Sequence, residues 1–174
     1  MAWNVDKAHT QVSFSVRHLG VSFIRGDMKV ADASLAIDEA NPEQSSIQAT
    51  IDVSSLSTGE PGRDGHLKAG DFFDVETYPH ITFVSKKVTS GQGGKLDVVG
   101  DLTIKDVTRE VQLTGEHAGP VSDPVSSKRK MGFGLQGQIK RSDWGINWNV
   151  PMSEGGFMLS DSLTLNISAQ AIEA

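Results

Sequence analysis

Apolar residues recur at every second position through most of this chain, and that period of two commits it to extended structure before anything else is weighed. Val12, Phe14, Val16 and His18 fall on one face of the first clear segment, with Ser13, Ser15 and Arg17 on the other. The pattern returns at Leu35 with Ile37, along Ile47-Ala49-Ile51-Val53, and at Ile81 with Phe83. Leu96-Val98 leads into Leu102-Ile104, followed by Val107-Arg109-Val111-Leu113, Phe133-Leu135-Gly137-Ile139 and Leu163-Leu165-Ile167-Ala169. Such alternation is what a sheet shows when one side meets a core and the other meets water. Roughly eight such runs span the sequence without a break, so residues 1–174 read as one domain.

Glycine and asparagine punctuate the runs. Gly91-Gln92-Gly93-Gly94 predicts a hairpin turn between strands near 81–88 and 95–104, Asp106 a tight reversal, and Asn41-Pro42 a further turn. Consecutive strands joined by short turns make a meander, and a long meander hides its edges most fully by closing into a barrel. A two-layer sandwich is the runner-up, since alternation alone does not separate the two. The run from Thr10 to Leu19 would extend ~34 Å at the usual rise of a strand. Ala49, Val53, Gly100, Gly137 and Ala169 fall at inward positions. Such small residues permit a cavity and also suit a tightly coiled barrel filled by side chains.

Composition excludes several partners. With a formal net charge of −6 and a longest basic stretch of only Lys128-Arg129-Lys130, nucleic acid is not expected. There are no cysteines, hence no disulfide, thiolate metal site or cysteine nucleophile. No apolar stretch is long enough to span a bilayer. Asp6, Lys7 and His9 interrupt the N-terminus before the apolar core of a signal peptide can form. The expected location is therefore the cytoplasm, or the periplasm for a chain from which a leader has been removed.

Two segments depart from the alternation. In 54–79, Pro61 opens a short helical segment near 61–70, Asp64 and Lys68 form an i,i+4 charge pair, and Gly70 is placed to end it. Long connections in compact domains usually cover something. The second segment, Ser142 to Asn149, sets Trp144 and Trp148 in a polar, glycine-containing turn and reads as a lid or a plug.

The chemistry-bearing patterns are sparse. The histidines lack HExxH or comparable spacing, so no metal site is expected. No serine occupies a Gly-x-Ser-x-Gly turn, and the phosphate-loop and dinucleotide fingerprints are absent. What remains is Arg63-Asp64-x-His66-Leu67 followed by Asp71-Phe72-Phe73. Arg63 and His66 on one helical face would offer donors to an anionic or carbonyl head group, with Phe72 and Phe73 as apolar cover. The same turn would equally serve to cap one barrel end, with Asp64 as a local acceptor.

At these residues the chain resembles the YceI-like family. The resemblance rests on Trp3-x-Val5-Asp6-x-x-His9-Thr10-x-Val12-x-Phe14-x-Val16-x-His18, on Arg25-Gly26, and on the Arg63 and Asp71 motifs just named. Tyr78-Pro79-x-Ile81-x-Phe83, Gly100-Asp101-Leu102-Thr103-Ile104-x-x-Val107-Thr108 and Asp143-Trp144-Gly145 continue it. It implies an all-β, lipocalin-like, eight-stranded antiparallel barrel, often a homodimer, enclosing a polyisoprenoid or similar long-chain lipid. Polyprenyl phosphates, isoprenoid quinones and fatty amides are the ligand classes associated with it. The family supplies no catalytic residues. Many members carry a secretion signal, which is not expected from the N-terminal residues read above.

Combining resemblance and pattern, the ligand tail is expected against Phe14, Val16, Ile51, Phe83, Leu102 and Phe133. The head is expected near Arg63 and His66, with His18 as a third partner and Phe72, Phe73 and Trp144 as cover. Beyond the lipid no cofactor is expected. Two other readings stand beside this one: a ligand-free stress or interaction protein on a solid barrel, and an enzyme acting on a lipid through Asp64 and His66.

Overall fold

The computed structural model describes residues 2–174. Nine strands and one α-helix follow one another as β1 (Ala2–Val5), β2 (Gln11–His18), β3 (Ser22–Ala36), β4 (Ser46–Ser57), α1 (Pro61–Lys68), β5 (His80–Ser90), β6 (Lys95–Ile104), β7 (Val107–Ser122), β8 (Arg129–Lys140) and β9 (Leu159–Glu173). Each pairs antiparallel with its neighbours, in the ring order β3-β2-β9-β8-β7-β6-β5-β4, and β4 pairs back onto β3. The result is a closed barrel of eight long strands with one short helix, not a sandwich.

The ninth strand is short. β1 bridges β3 through Trp3 and Leu35 and β9 through Trp3 and Glu173, so it occupies the same place in the ring as β2, farther along the barrel. A 3-10 turn at Lys7–His9 separates the two, held by the Asp6 carboxylate accepting from the Ala8 amide. β2 is shorter than the Thr10–Leu19 run predicts. Leu19 (φ 57°) and Gly20 (φ 72°) turn left-handed and end it.

Alternating turns assign the connections to two ends. The 19–21 turn, the 58–79 segment with α1, the 105–106 reversal and the 141–158 segment lie at one end, called here the upper mouth. The connections 37–45, 91–94 and 123–128 lie at the other. The glycine turn between β5 and β6 places Gly93 and Gly94 at φ 71° and 81°, a conformation only glycine adopts without strain. Helix α1 starts where expected: Glu60 accepts from the Gly62 and Arg63 amides, and Pro61 stands in the first turn. It ends at Lys68 with Ala69 rather than Gly70 as its cap, because the Ala69 amide reaches back to the His66 carbonyl.

Inward positions carry the core. Phe14, Ile51, Val53, Ile81, Leu102, Ile104, Ile139 and Trp144 pack toward the upper mouth, and Trp3, Leu35, Val98, Leu113 and Leu135 toward the lower end. Several inward residues, Phe83, Phe133, Leu163 and Leu165 among them, stay only half-buried. They pack against the core on one side and line a chamber on the other.

Candidate functional site: an apolar chamber along the barrel axis

A cavity of about 520 Å³ runs through the barrel, within the range usual for small-molecule sites. Its lining reaches from Arg63, His66 and Trp148 at the upper mouth to Asp38, Glu39 and Pro120 at the lower end. Between these ends the wall is almost wholly apolar. Phe14, Val16 and His18 reach it from β2, Ile51 from β4, Phe83 from β5, Leu102 from β6 and Phe133 from β8. Arg63, His66, Phe72 and Phe73 reach it from α1 and the residues after it, and Trp144 from the 141–158 segment. The structure thus brings the residues nominated for the ligand's tail, head and cover to one chamber, and leaves Asp64 outside it. Small residues at Ala33, Ala49 and Ala169 line it too, whereas Gly100 and Val53 pack in the wall.

Two glycines give the wall its depth. A Cβ at Gly26 would lie 2.4 Å from Phe14 Cζ, and one at Gly100 would lie 2.5 Å from Phe83 Cζ. Each phenyl ring therefore lies across a glycine on the strand beside it, and the space above the ring stays open.

A bonded cover lies at the upper mouth, beside the chamber. Arg63 donates from Nε to the Thr58 hydroxyl at 2.7 Å and from Nη2 to the Thr58 carbonyl at 2.9 Å. The Asp64 carboxylate accepts from the Thr58 amide at 2.8 Å and from its hydroxyl. The Thr58 hydroxyl is the main reason this carboxyl sits below its ordinary value, outweighing the opposing effect of desolvation. Asp64 faces Thr58 and is absent from the chamber lining, so it is not assembled with His66 as an acid–base pair on the cavity.

His66 Nε2 donates to Asp71 Oδ2 at 2.9 Å; a carboxylate only accepts, so that nitrogen carries the proton. The His66 ring stands edge-on to Phe72 (5.1 Å) and Trp148 (4.7 Å), tying helix α1 to the 141–158 segment. Trp144 is 3% exposed, and its indole N–H donates to the Leu102 carbonyl at 3.0 Å. That makes Trp144 a pinned plug.

Pattern reading missed several residues. Arg141, 7% exposed, donates to the carbonyls of Ser160 (3.1 Å), Ile146 (3.0 Å) and Trp148 (2.7 Å). Burial draws its guanidinium below the ordinary value, partly offset by Asp161. A lone arginine at a strand end carries no sequence signal for this. His117 and Ser90 line the lower half, with Nε2 and Oγ 3.5 Å apart. His117 shares the inward period of Val111 and Leu113, which is the signal that marks it. Among the described residues, no cluster of three or more His, Cys, Asp or Glu is placed to hold a metal ion, and no helix is long and apolar enough to cross a membrane.

Fold and chamber together define a lipocalin-like barrel with an internal apolar site. The YceI-like domain model matches residues 3–171, and the chain belongs to that family. A UPF0312 protein of Staphylococcus epidermidis is 36% identical over 168 residues, covering 97% of this chain and 95% of the relative. The fold is similar to that of Burkholderia cenocepacia BcnA, with a TM-score of 0.80 and 28% identity over 96% of this chain and 99% of that one. The Campylobacter jejuni YceI protein matches with a TM-score of 0.71 and 34% identity over 97% and 96% of the two chains. A polyisoprenoid binding domain from Saccharophagus degradans, implicated in plant cell wall breakdown, shares the fold alone, with a TM-score of 0.67 at 16% identity over 99% and 98%.

Proposed function

We propose that this protein binds a long apolar lipid inside the barrel, most favourably an isoprenoid such as a polyprenyl phosphate or isoprenoid quinone, and carries or sequesters it. The observation that supports the reading is the continuous chamber itself, walled by Phe14, Ile51, Phe83, Leu102 and Phe133 along its length. Burying apolar carbons contributes ~0.8 kcal/mol per methylene, so a tail needs no charged partner to bind. Ordering and association costs take back several kcal/mol, so the whole tail does not convert to affinity. Polar groups at the mouths, His18 and His66 among them, then select the head group and its direction.

The polyisoprenoid-binding description of the Saccharophagus degradans domain supports the same ligand class. A binder is favoured over a catalyst, because Asp64, the acid–base partner that the sequence suggests for His66, is turned to Thr58 and does not line the chamber. The reading includes a homodimer, whose support is the family resemblance.

Titration of delipidated protein with a polyprenyl phosphate tests it. Trp144 and Trp148 line the chamber, so their emission should change saturably at one ligand per chain. Emission unchanged through the titration, with no lipid retained on gel filtration, would contradict the reading.

A further inference from the structure

Of the large apolar side chains left exposed, Leu19, Val21, Val150 and Phe157 lie in two neighbouring loops at the upper mouth, and Phe23 lies at the start of the strand that leaves the first of them. Val21 is 81%, Phe23 60% and Phe157 61% exposed. The β2–β3 turn and the 141–158 segment are joined by the Leu19 amide donating to the Met158 carbonyl at 2.7 Å. His18 and Met158, at that junction, line the chamber. The apolar lip and the chamber entrance are therefore one continuous feature. A monomeric soluble protein seldom clusters exposed apolar groups this way without a surface to meet.

The charges behind the lip indicate which surface. Strand pairing sets Arg17 opposite Phe23 and Ser15 opposite Arg25 on the outer face of the β2–β3 hairpin. The Arg17 guanidinium lies over the Phe23 ring at 4.7 Å and donates to the Gly20 carbonyl at 3.0 Å. Among the described residues, neither Arg17 nor Arg25 has a carboxylate within ion-pair distance. Moving back from the tip, the hairpin presents Val21, then Phe23 with Arg17, then Arg25, then Asp27. Apolar tip, cations without a carboxylate partner one step behind and acid farther back is the order that matches acyl chains, lipid phosphates and water.

We infer that the upper mouth docks on a phospholipid bilayer, with the β2–β3 tip and Phe157 in the acyl boundary and Arg17 and Arg25 on anionic headgroup phosphates. This builds on the lipid-binding reading: a long isoprenoid has almost no free concentration in water, so loading has to happen where the lipid resides. A chain of net charge −6 gains no long-range attraction to an anionic membrane, which makes the local apolar lip the anchor.

The test is flotation with vesicles of phosphatidylcholine and phosphatidylglycerol in equal parts, against phosphatidylcholine alone. Wild type should float with the mixed vesicles. V21S/F23S should bind at least about tenfold more weakly, since two apolar side chains are lost from the acyl boundary. R17Q/R25Q should fall to the phosphatidylcholine-alone value. All of these side chains point outward, and a thermal melt checks that the fold survives. Uptake of farnesol from solution, in parallel, should be unchanged in both variants. If uptake fails everywhere while flotation persists, the carrier reading falls and the docking surface stands. The inference is overturned if wild type does not float or if V21S/F23S floats equally. It is also overturned if sedimentation shows wild type self-associating through the lip, the variant monomeric, and neither on vesicles.

Discussion

The guanidinium of Arg141 donates to the main-chain carbonyl of Trp148 at 2.7 Å, so a buried cation at the end of β8 holds the cover of the upper mouth in place. Two further carbonyls, of Ile146 and Ser160, share the same group. Arg141→Ala leaves those acceptors without a partner and frees the 141–158 segment. The expected cost is about 2–3 kcal/mol in urea unfolding, the range for hydrogen bonds to a charged donor. Ligand release should speed up beyond what the stability loss explains, and stopped-flow displacement checks it. Arg141→Lys should not restore the wild-type rate, since one ammonium cannot reproduce the planar fork.

The Gly26–Phe14 packing predicts a coupled pair. Gly26→Ala forces the Phe14 ring off the wall and into the chamber, with an expected cost of about 1–3 kcal/mol for overpacking. Lipid capacity should fall with it. Adding Phe14→Leu should recover both, so a double-mutant cycle should show strong coupling. Additive losses would mean the ring does not define the chamber.

Ala169 faces Phe133 across the β8–β9 pair, and both line the chamber. Ala169→Phe should therefore place its ring in the cavity with little strain. The melting temperature should hold or rise while isoprenoid uptake is lost. Circular dichroism melts and uptake on the same sample separate blocking from misfolding.

The depressed Asp64 carboxyl predicts a pH signature for helix α1. The Thr58 hydroxyl and amide stabilise the ionised form, so Asp64 contributes stability above the ordinary carboxylate value. That contribution is lost as pH falls through the lower, folded-state value. Asp64→Asn should thus melt below wild type at neutral pH, with the gap narrowing once pH drops below about 4. Thermal melts of both proteins across that range check the sign.

Period-two patterning made the eight long strands legible because each has one dry and one wet face, as in Leu96-Val98-Gly100-Leu102-Ile104 of β6. The chamber wall was legible for the same reason: inward means period-matched, and Phe14, Ile51, Phe83 and Phe133 follow from that. Strand β1 was not, because four residues that share the ring position of β2 are too few to show a period. The early part of β3 was also obscured. Arg25, Asp27 and Lys29 alternate with Gly26 and Met28, and a register shift near Met28 breaks the run. At the mouth, sequence singled out Arg63 and His66, but their bonds to Thr58 and Asp71 depend on how the 58–79 segment folds back. Arg141 was invisible because its partners are carbonyls, which every residue has.

The central claim is that the barrel holds a lipid, and native against denaturing mass spectrometry of protein purified without detergent tests it most directly. The account predicts a discrete excess mass on the native protein that is lost on denaturation and fragments as an isoprenoid, and predicts that Ala169→Phe lacks it. A native mass equal to the bare chain, with no mass gained after incubation with polyprenyl phosphate or isoprenoid quinone, would contradict it.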